Sequence, residues 1–246
     1  MITGKPKRLP VPGDGCQLPA TPPEETRTPQ ALLAAADRFA DVIAQQQRGL
    51  GLPVSADGWI AVSIREQTLW VYWETAAPLT LATADAWARD GNRVVAQYRC
   101  STSAAPPSQV EGSLGTSLGL HSIAAVIGHE APLGTVFRGR EPVGMAELPP
   151  PSPDAPNLIT TRILRLKGLE PGWNAGQCRR RDLPSAEQAR AGEGVPEDLV
   201  SVDAFGRYLY LHGTNHEAKL GTPFSAGCVL LGNAAIAELA DHCRVG

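Results

Sequence analysis

Two side chains with the chemistry of a base and a nucleophile stand close together near the end of the chain. They are His212 and Cys228, sixteen positions apart in HGTNHEAKLGTPFSAGCVLLGN. A thiol becomes a strong nucleophile when its thiolate is populated, which calls for a neighbouring histidine, a helix N-terminus or backbone amides aimed at it. All three are on offer here. His212 follows the apolar run RYLYL, which reads as a strand, so a rigid element carries the base. Cys228 follows Gly227, whose missing Cβ lets backbone N–H groups approach a substrate oxygen, and it precedes a helical stretch. A strand-borne base and a loop nucleophile among amides suit acyl transfer. The competing reading of the same residues is a small buried cysteine near an unrelated structural histidine. His216 in a polar turn and His242 beside Cys243 lack the partners a metal site needs, so no metal and no cofactor is expected.

The elements that must position these groups are mostly strands. WIAVSIREQTLWVYWE alternates apolar and polar residues and predicts two strands turning near Glu66 and Gln67. NRVVAQYRCST, ITTRILRL and GRYLYLHG follow as further strands, separated by loops rich in Gly and Pro. A helix is predicted over residues 30–48, where Leu32, Leu33, Ala36, Phe39, Ala40 and Ile43 recur at helical spacing behind Thr28 as a cap and Pro29 at the first position. A last helix is predicted over residues 234–242. Residues 1–29, rich in Pro, Thr and charge, read as a poorly ordered tail. The result is a mostly β catalytic-size domain with few helices. Two long loops interrupt it, MAELPPPSPDAPN and GLEPGWNAGQCRRRDLPSAEQARAGEGVPED, the second long enough to serve as a lid or binding wall. Its cluster Arg179–Arg181 reads as a solvated patch.

Composition limits the partners. With 22 basic and 25 acidic side chains the formal charge is −3, so nothing draws the whole molecule to nucleic acid or to an anionic membrane. The longest apolar runs carry charges within a turn or two, so no transmembrane segment is expected. No apolar stretch follows the basic residues of the N-terminus, so no signal peptide is visible. Of five cysteines none forms a CxxC pair. If Cys228 is kept for chemistry, Cys16, Cys100, Cys178 and Cys243 have the number for two disulfides in an oxidising compartment; the alternative is that all five stay reduced.

HGTN followed by SAGCV resembles the signature of the L,D-transpeptidase (YkuD-like) family, HGT…SxGC[IV]R. The resemblance extends upstream: IAVSIREQTLWVY is similar to the family's opening strands, CSTS…EGSLGTSLGLHSI to its TPxGx(H/Y) segment, and APLGTVFRGR with LITTRILRLKGLEPGWN to the form with a long substrate loop. It implies a β-sandwich catalytic domain over residues 57–246, with a helix and linker over 30–56 in front of it. It further implies a cysteine enzyme whose partner is the peptidoglycan stem peptide, acting in the periplasm or cell envelope. Carried onto this chain, Cys228 attacks the carbonyl before a terminal D-Ala and His212 is its base, oriented by the carbonyl of Gly213. Gly227 contributes to the oxyanion hole and Ser225 shapes the loop, while Thr214, Asn215, Leu230 and Arg162 are the substrate-binding candidates.

This sequence departs from the family pattern in three places. Leu230 stands where the family has Arg, which removes a guanidinium from the substrate side. Thr116-Ser117 replaces Thr-Pro, and the chain stops at Gly246 before the strand with which family members usually continue, leaving an edge to be covered. The same acyl-enzyme resolved by water or by another D-amino acid would make a carboxypeptidase or an exchange enzyme. A degenerate peptidoglycan-binding module is the reading from outside catalysis.

Overall fold

The computed structural model describes residues 28–54, 58–79, 81–188 and 199–246. The predicted tail lies outside the described residues apart from its last two positions, as does Cys16.

The first sheet is antiparallel, in the order β1 (Gly58–Ser63), β2 (Thr68–Glu74), β4 (Arg93–Arg99), β3 (Ala86–Asp90). Its strands are apolar on both faces because both faces are covered. Leu69, Val71, Val94, Ala96 and Tyr98 point into the main core. Trp70, Val95, Ala61 and Ala88 point the other way, onto helix α1 (Pro29–Gly49). That helix forms because Leu32, Ala35, Ala36 and Phe39 share one face and Thr28 caps it, its hydroxyl accepting from Ala31 N–H at 3.2 Å. Phe39 packs its ring against Trp59 and Trp70 at 5.9 and 5.4 Å. The predicted helix is thus a layer of the fold, sealing the outer side of the first sheet.

The second sheet runs β12 (Val229–Leu231), β11 (Tyr210–Gly213), β8 (Ile159–Gly168), β6 (Thr135–Arg138), β7 (Glu141–Met145), and β5 (His121–Ile127) pairs with the far end of β8. Leu164, Leu211, Val229 and Leu231 close the sandwich against the first sheet, together with Ala235, Ile236, Leu239 and Ala240 of the last helix, Asn233–His242. Beyond the expected strands, β6 and β7 form a hairpin, and β7 contains Pro142, which cannot donate to a ladder. It is tolerated because β7 is an edge strand, exposed along its whole length.

Three links tie the sheets together around Cys228. The chain leaving β4 crosses to β12, where Ser101 and Leu230 exchange both backbone hydrogen bonds at 2.9 and 2.7 Å. Thr102 then accepts from the amides of Phe224 and Ser225, each at 3.0 Å, and Gln67 in the β1–β2 turn accepts from Thr102 N–H at 2.7 Å. The Thr116 hydroxyl oxygen accepts from Ser103 N–H at 3.0 Å, so the segment bearing the Thr-Ser replacement buttresses the same crossing stretch of chain.

The long loop after β8 is anchored at both ends. Its two-residue strands β9 (Gln177–Cys178) and β10 (Val200–Ser201) pair, and Leu183, Val200, Val202 and Val110 form a small core of their own. Residues 189–198 lie outside the described residues. Among the described residues, Cys100 and Cys243 carry free thiols. Gly246 N–H donates to Ile123 of β5 at 3.1 Å.

Because Phe39 is fully buried between two tryptophans, Phe39→Ala is expected to cost about 3–5 kcal/mol. Equilibrium unfolding in urea checks this; an unchanged midpoint would mean that α1 is not part of the cooperative unit.

Candidate active site

Strands β11 and β12 are parallel, with Leu211 opposite Val229, His212 opposite Leu230 and Gly213 opposite Leu231. Side chains alternate along a strand, so once Leu211, Val229 and Leu231 enter the core, His212 and Leu230 must face outwards. Cys228, one step before β12, falls on that outward side and packs with Tyr210, Phe137 and Ile163. Antiparallel pairing with β8 extends the pattern: Ile163 lies opposite His212 and Arg165 opposite Tyr210. Histidine and cysteine, sixteen residues apart in sequence, are therefore brought to one face of adjacent strands.

His212 is flanked by Ile163 and Leu230 on its neighbouring strands and is only 2% exposed. Burial pushes its pKa down to about 4, against the carbonyl of Gly213, which favours the protonated ring. Nδ1 lies 2.7 Å from that carbonyl. The carbonyl accepts, so Nδ1 carries the hydrogen and Nε2 is left as the basic nitrogen. At neutral pH the imidazole is neutral and able to take a proton.

Gly213 has to be glycine. A Cβ there would stand 2.7 Å from Asn233 Oδ1 and 2.8 Å from both the carbonyl and the hydroxyl of Thr160. The crowding comes from a β-bulge: β8 pairs Thr160 with Gly213 and Ile163 with His212, leaving Thr161 and Arg162 between, with Thr161 at φ 68°. Asn233 locks this arrangement. Its side-chain oxygen accepts from the hydroxyls of Thr160 and Thr161, and its amide donates to the Thr214 carbonyl at 2.8 Å and to Glu217 at 2.7 Å. Sequence reasoning missed Asn233; the signal was a residue of the capping class at the start of the last helix.

The cysteine loop is tied by Ser225, whose hydroxyl donates to the Cys228 carbonyl at 2.6 Å and accepts from Gly227 N–H at 3.2 Å. Gly227 has φ 125°, a backbone conformation disfavoured for other residues, and a Cβ there would meet Leu209 at 3.2 Å. The Cys228 thiol donates to the carbonyl of Tyr208 at 3.7 Å. Burial raises its pKa to about 11, opposed by the Tyr210 N–H and by the Arg207 guanidinium nearby. Arg207, also missed in the sequence, binds the carbonyls of Ser108 and Gly115 at 2.8 and 2.7 Å, drawing that loop against the site. No spacing pattern marked it.

The substrate-binding candidates have partners inside the fold. Thr214 donates to Asn157 at 2.6 Å, and Asn215 accepts from Leu158 N–H at 2.9 Å and donates to the Pro156 carbonyl at 3.1 Å. Both hold the Pro-rich loop against the end of β11. Leu230 is fully buried. Arg162 donates to the carbonyls of Ala131 and Thr161 at 2.6 and 2.7 Å, inside the bulge. Among the described residues no group of three or more His, Cys, Asp or Glu is placed to hold a metal.

Two outcomes are expected from this geometry. Asn233→Ala leaves the Thr160 and Thr161 hydroxyls and the Thr214 carbonyl buried without their partner, and is expected to destabilise by about 2–5 kcal/mol in chemical unfolding. Because burial disfavours the thiolate, alkylation of Cys228 by iodoacetamide is expected to rise about tenfold per pH unit through neutrality and on towards pH 11. A plateau already reached below neutral pH would instead reveal a resting thiolate–imidazolium pair.

No curated protein matches the chain. A family model does, the YkuD L,D-transpeptidase catalytic domain, over residues 57–246. That span holds both sheets, the contacts that orient His212 and the loop that presents Cys228, and the chain belongs to this family.

Proposed function

We propose that the L,D-transpeptidase-type activity on peptidoglycan that family membership brings is performed here through a Cys228 acyl-enzyme. The observation that carries this reading is the placement of Cys228 and His212 on one outward face of adjacent parallel strands, with the imidazole held by Gly213 in the tautomer of a base.

In the resting protein both groups are neutral, the thiol because burial raises its pKa and the imidazole because burial lowers its own. Reaction begins when the thiol turns from the Tyr208 carbonyl to His212 and passes its proton to Nε2. The sulfur attacks the carbonyl carbon of the L-centre that precedes a terminal D-Ala, forming a C–S bond and an oxyanion. The backbone amide of Cys228 is the proposed oxyanion donor, since the Gly227 amide is engaged by Ser225. Collapse breaks the C–N bond, and the imidazolium gives its proton to the departing D-Ala amine. An amine of a second stem peptide then attacks the thioester while His212 takes its proton. The thiolate leaves and is reprotonated, and the two stems are joined.

The acceptor is an amine in this reading, and the site of action is the periplasm or cell envelope, where peptidoglycan lies. Among the described residues no helix is long and apolar enough to cross a membrane.

Incubation with a donor stem tetrapeptide should give a covalent adduct on Cys228 by mass spectrometry, absent in Cys228→Ala. Addition of an acceptor stem should convert it to a joined dimer. An adduct that persists in Cys228→Ala rejects the nucleophile, and a free tripeptide as the sole product with acceptor present rejects transfer in favour of hydrolysis.

A further inference from the structure

Tyr208 meets the nucleophile and two positive charges at once. Tyr208 is 53% exposed; its carbonyl lies 3.7 Å from Cys228 Sγ, and its ring has the Arg140 guanidinium 5.3 Å away and the Arg165 guanidinium 5.5 Å away. The two arginines come from different parts of the second sheet. Arg165 is on β8, opposite Tyr210 and hence on the outward face that carries Cys228. Arg140 sits in the turn joining β6 to β7. Both Tyr208 and Arg140 hold positive φ, 57° and 75°, a conformation that costs a bulky residue about 1–3 kcal/mol and persists only where surrounding structure imposes it.

Among the described residues neither Arg140 nor Arg165 makes an ion pair with a carboxylate. Arg165 donates from Nη2 to the Phe205 carbonyl at 3.2 Å and stacks 3.4 Å from the Phe205 ring, yet its Nε is buried without a hydrogen-bond partner. Two like charges gathered on one aromatic ring repel, and a buried guanidinium N–H with no acceptor is costly. A bound anion offsets both. Guanidinium groups suit a carboxylate because their planar donors match its two oxygens.

We propose that Arg140 and Arg165, held on the Tyr208 ring, form a subsite beside Cys228 that binds a free carboxylate of the peptide being processed. The subsite selects donor peptides that carry that carboxylate over their amidated forms. This rests on the reading of Cys228 as the nucleophile that acts on stem peptides. Two carboxylates of such a peptide have the required chemistry, that of the departing terminal residue and that of the side chain at the attacked centre.

A small probe tests the subsite without requiring any activity on peptidoglycan. Iodoacetate and iodoacetamide alkylate the same thiol and differ in charge, so the ratio of their rates at Cys228, read by peptide mass mapping, reports attraction for a carboxylate. In the wild-type protein this ratio is expected to exceed that of Arg140→Gln by about fivefold at low salt, and the excess is expected to shrink as ionic strength rises. Arg165→Lys, which keeps a charge but loses the planar fork, is expected to fall between the two. Equal ratios in wild type and Arg140→Gln overturn the subsite, even if stem peptides are processed. With tetrapeptide donors, amidating the recognised carboxylate is expected to raise KM in the wild type and to have little effect in Arg140→Gln. Comparison of the terminal amide with the side-chain amide identifies which carboxylate is bound. Loss of affinity in Arg140→Gln that is equal for acid and amide donors would show a structural role only, and would also overturn the proposal.

Discussion

The site depends on the parallel pairing of β11 with β12. The apolar side chains of both strands are drawn into the sandwich core, and strand alternation turns their intervening residues outwards. A shift of one residue in that pairing would exchange the faces and bury the neighbours of Cys228 against the wrong layer. The register is held from both sides. Ser101 exchanges two backbone hydrogen bonds with Leu230 along the outer edge of β12, and β8 pairs with β11 along the other side. An edge strand of three residues has little stability of its own, so the crossing segment from the first sheet is what keeps it in place.

Backbone strain is gathered around the same place. Among the described residues five other than glycine have positive φ, and four of them, Leu114, Arg140, Thr161 and Tyr208, lie at the site or on the loops that wall it. Three of them are held by contacts that leave few alternatives. The Leu114 carbonyl accepts from the Ser103 hydroxyl at 2.6 Å, Thr161 is bound to Asn233, and Arg207 pins the chain next to Tyr208. The cost is offset by the large two-layer core beneath, to which α1 adds a third layer.

The electrostatic character of the pair follows from what flanks it. Ile163 and Leu230 remove water from the imidazole, and the thiol is enclosed by Tyr210, Phe137 and Ile163, so both groups rest uncharged. A guanidinium at position 230 would have stood in the row of His212; in this chain the positive charges are carried one row away, by Arg165, and on the loops, by Arg140 and Arg207. In the proposed reaction, activation of such a pair is a matter of bringing sulfur to nitrogen when substrate is present.

Much of this was legible in the amino-acid sequence because the signals are local. Alternation in TLWVYWE, helical spacing behind Thr28 and the glycine beside Cys228 each depend on a few neighbouring residues, and the structure has those strands, that helix and that turn. Motif and spacing singled out His212, Gly213 and Cys228, and the structure sets the His212 ring against the Gly213 carbonyl beside the strand that follows Cys228. What tertiary structure alone decided is which side chains reach them. Asn233, Arg207, Arg165 and Arg140 come from a helix start, a loop, a neighbouring strand and a hairpin turn, and no periodicity links such positions. Thr214 and Asn215, next to the histidine in sequence, are drawn away to hold the Pro-rich loop. Local sequence determines backbone conformation and the facing of each side chain, whereas the company a side chain keeps is set by strand order and register, which depend on the packing of the whole chain.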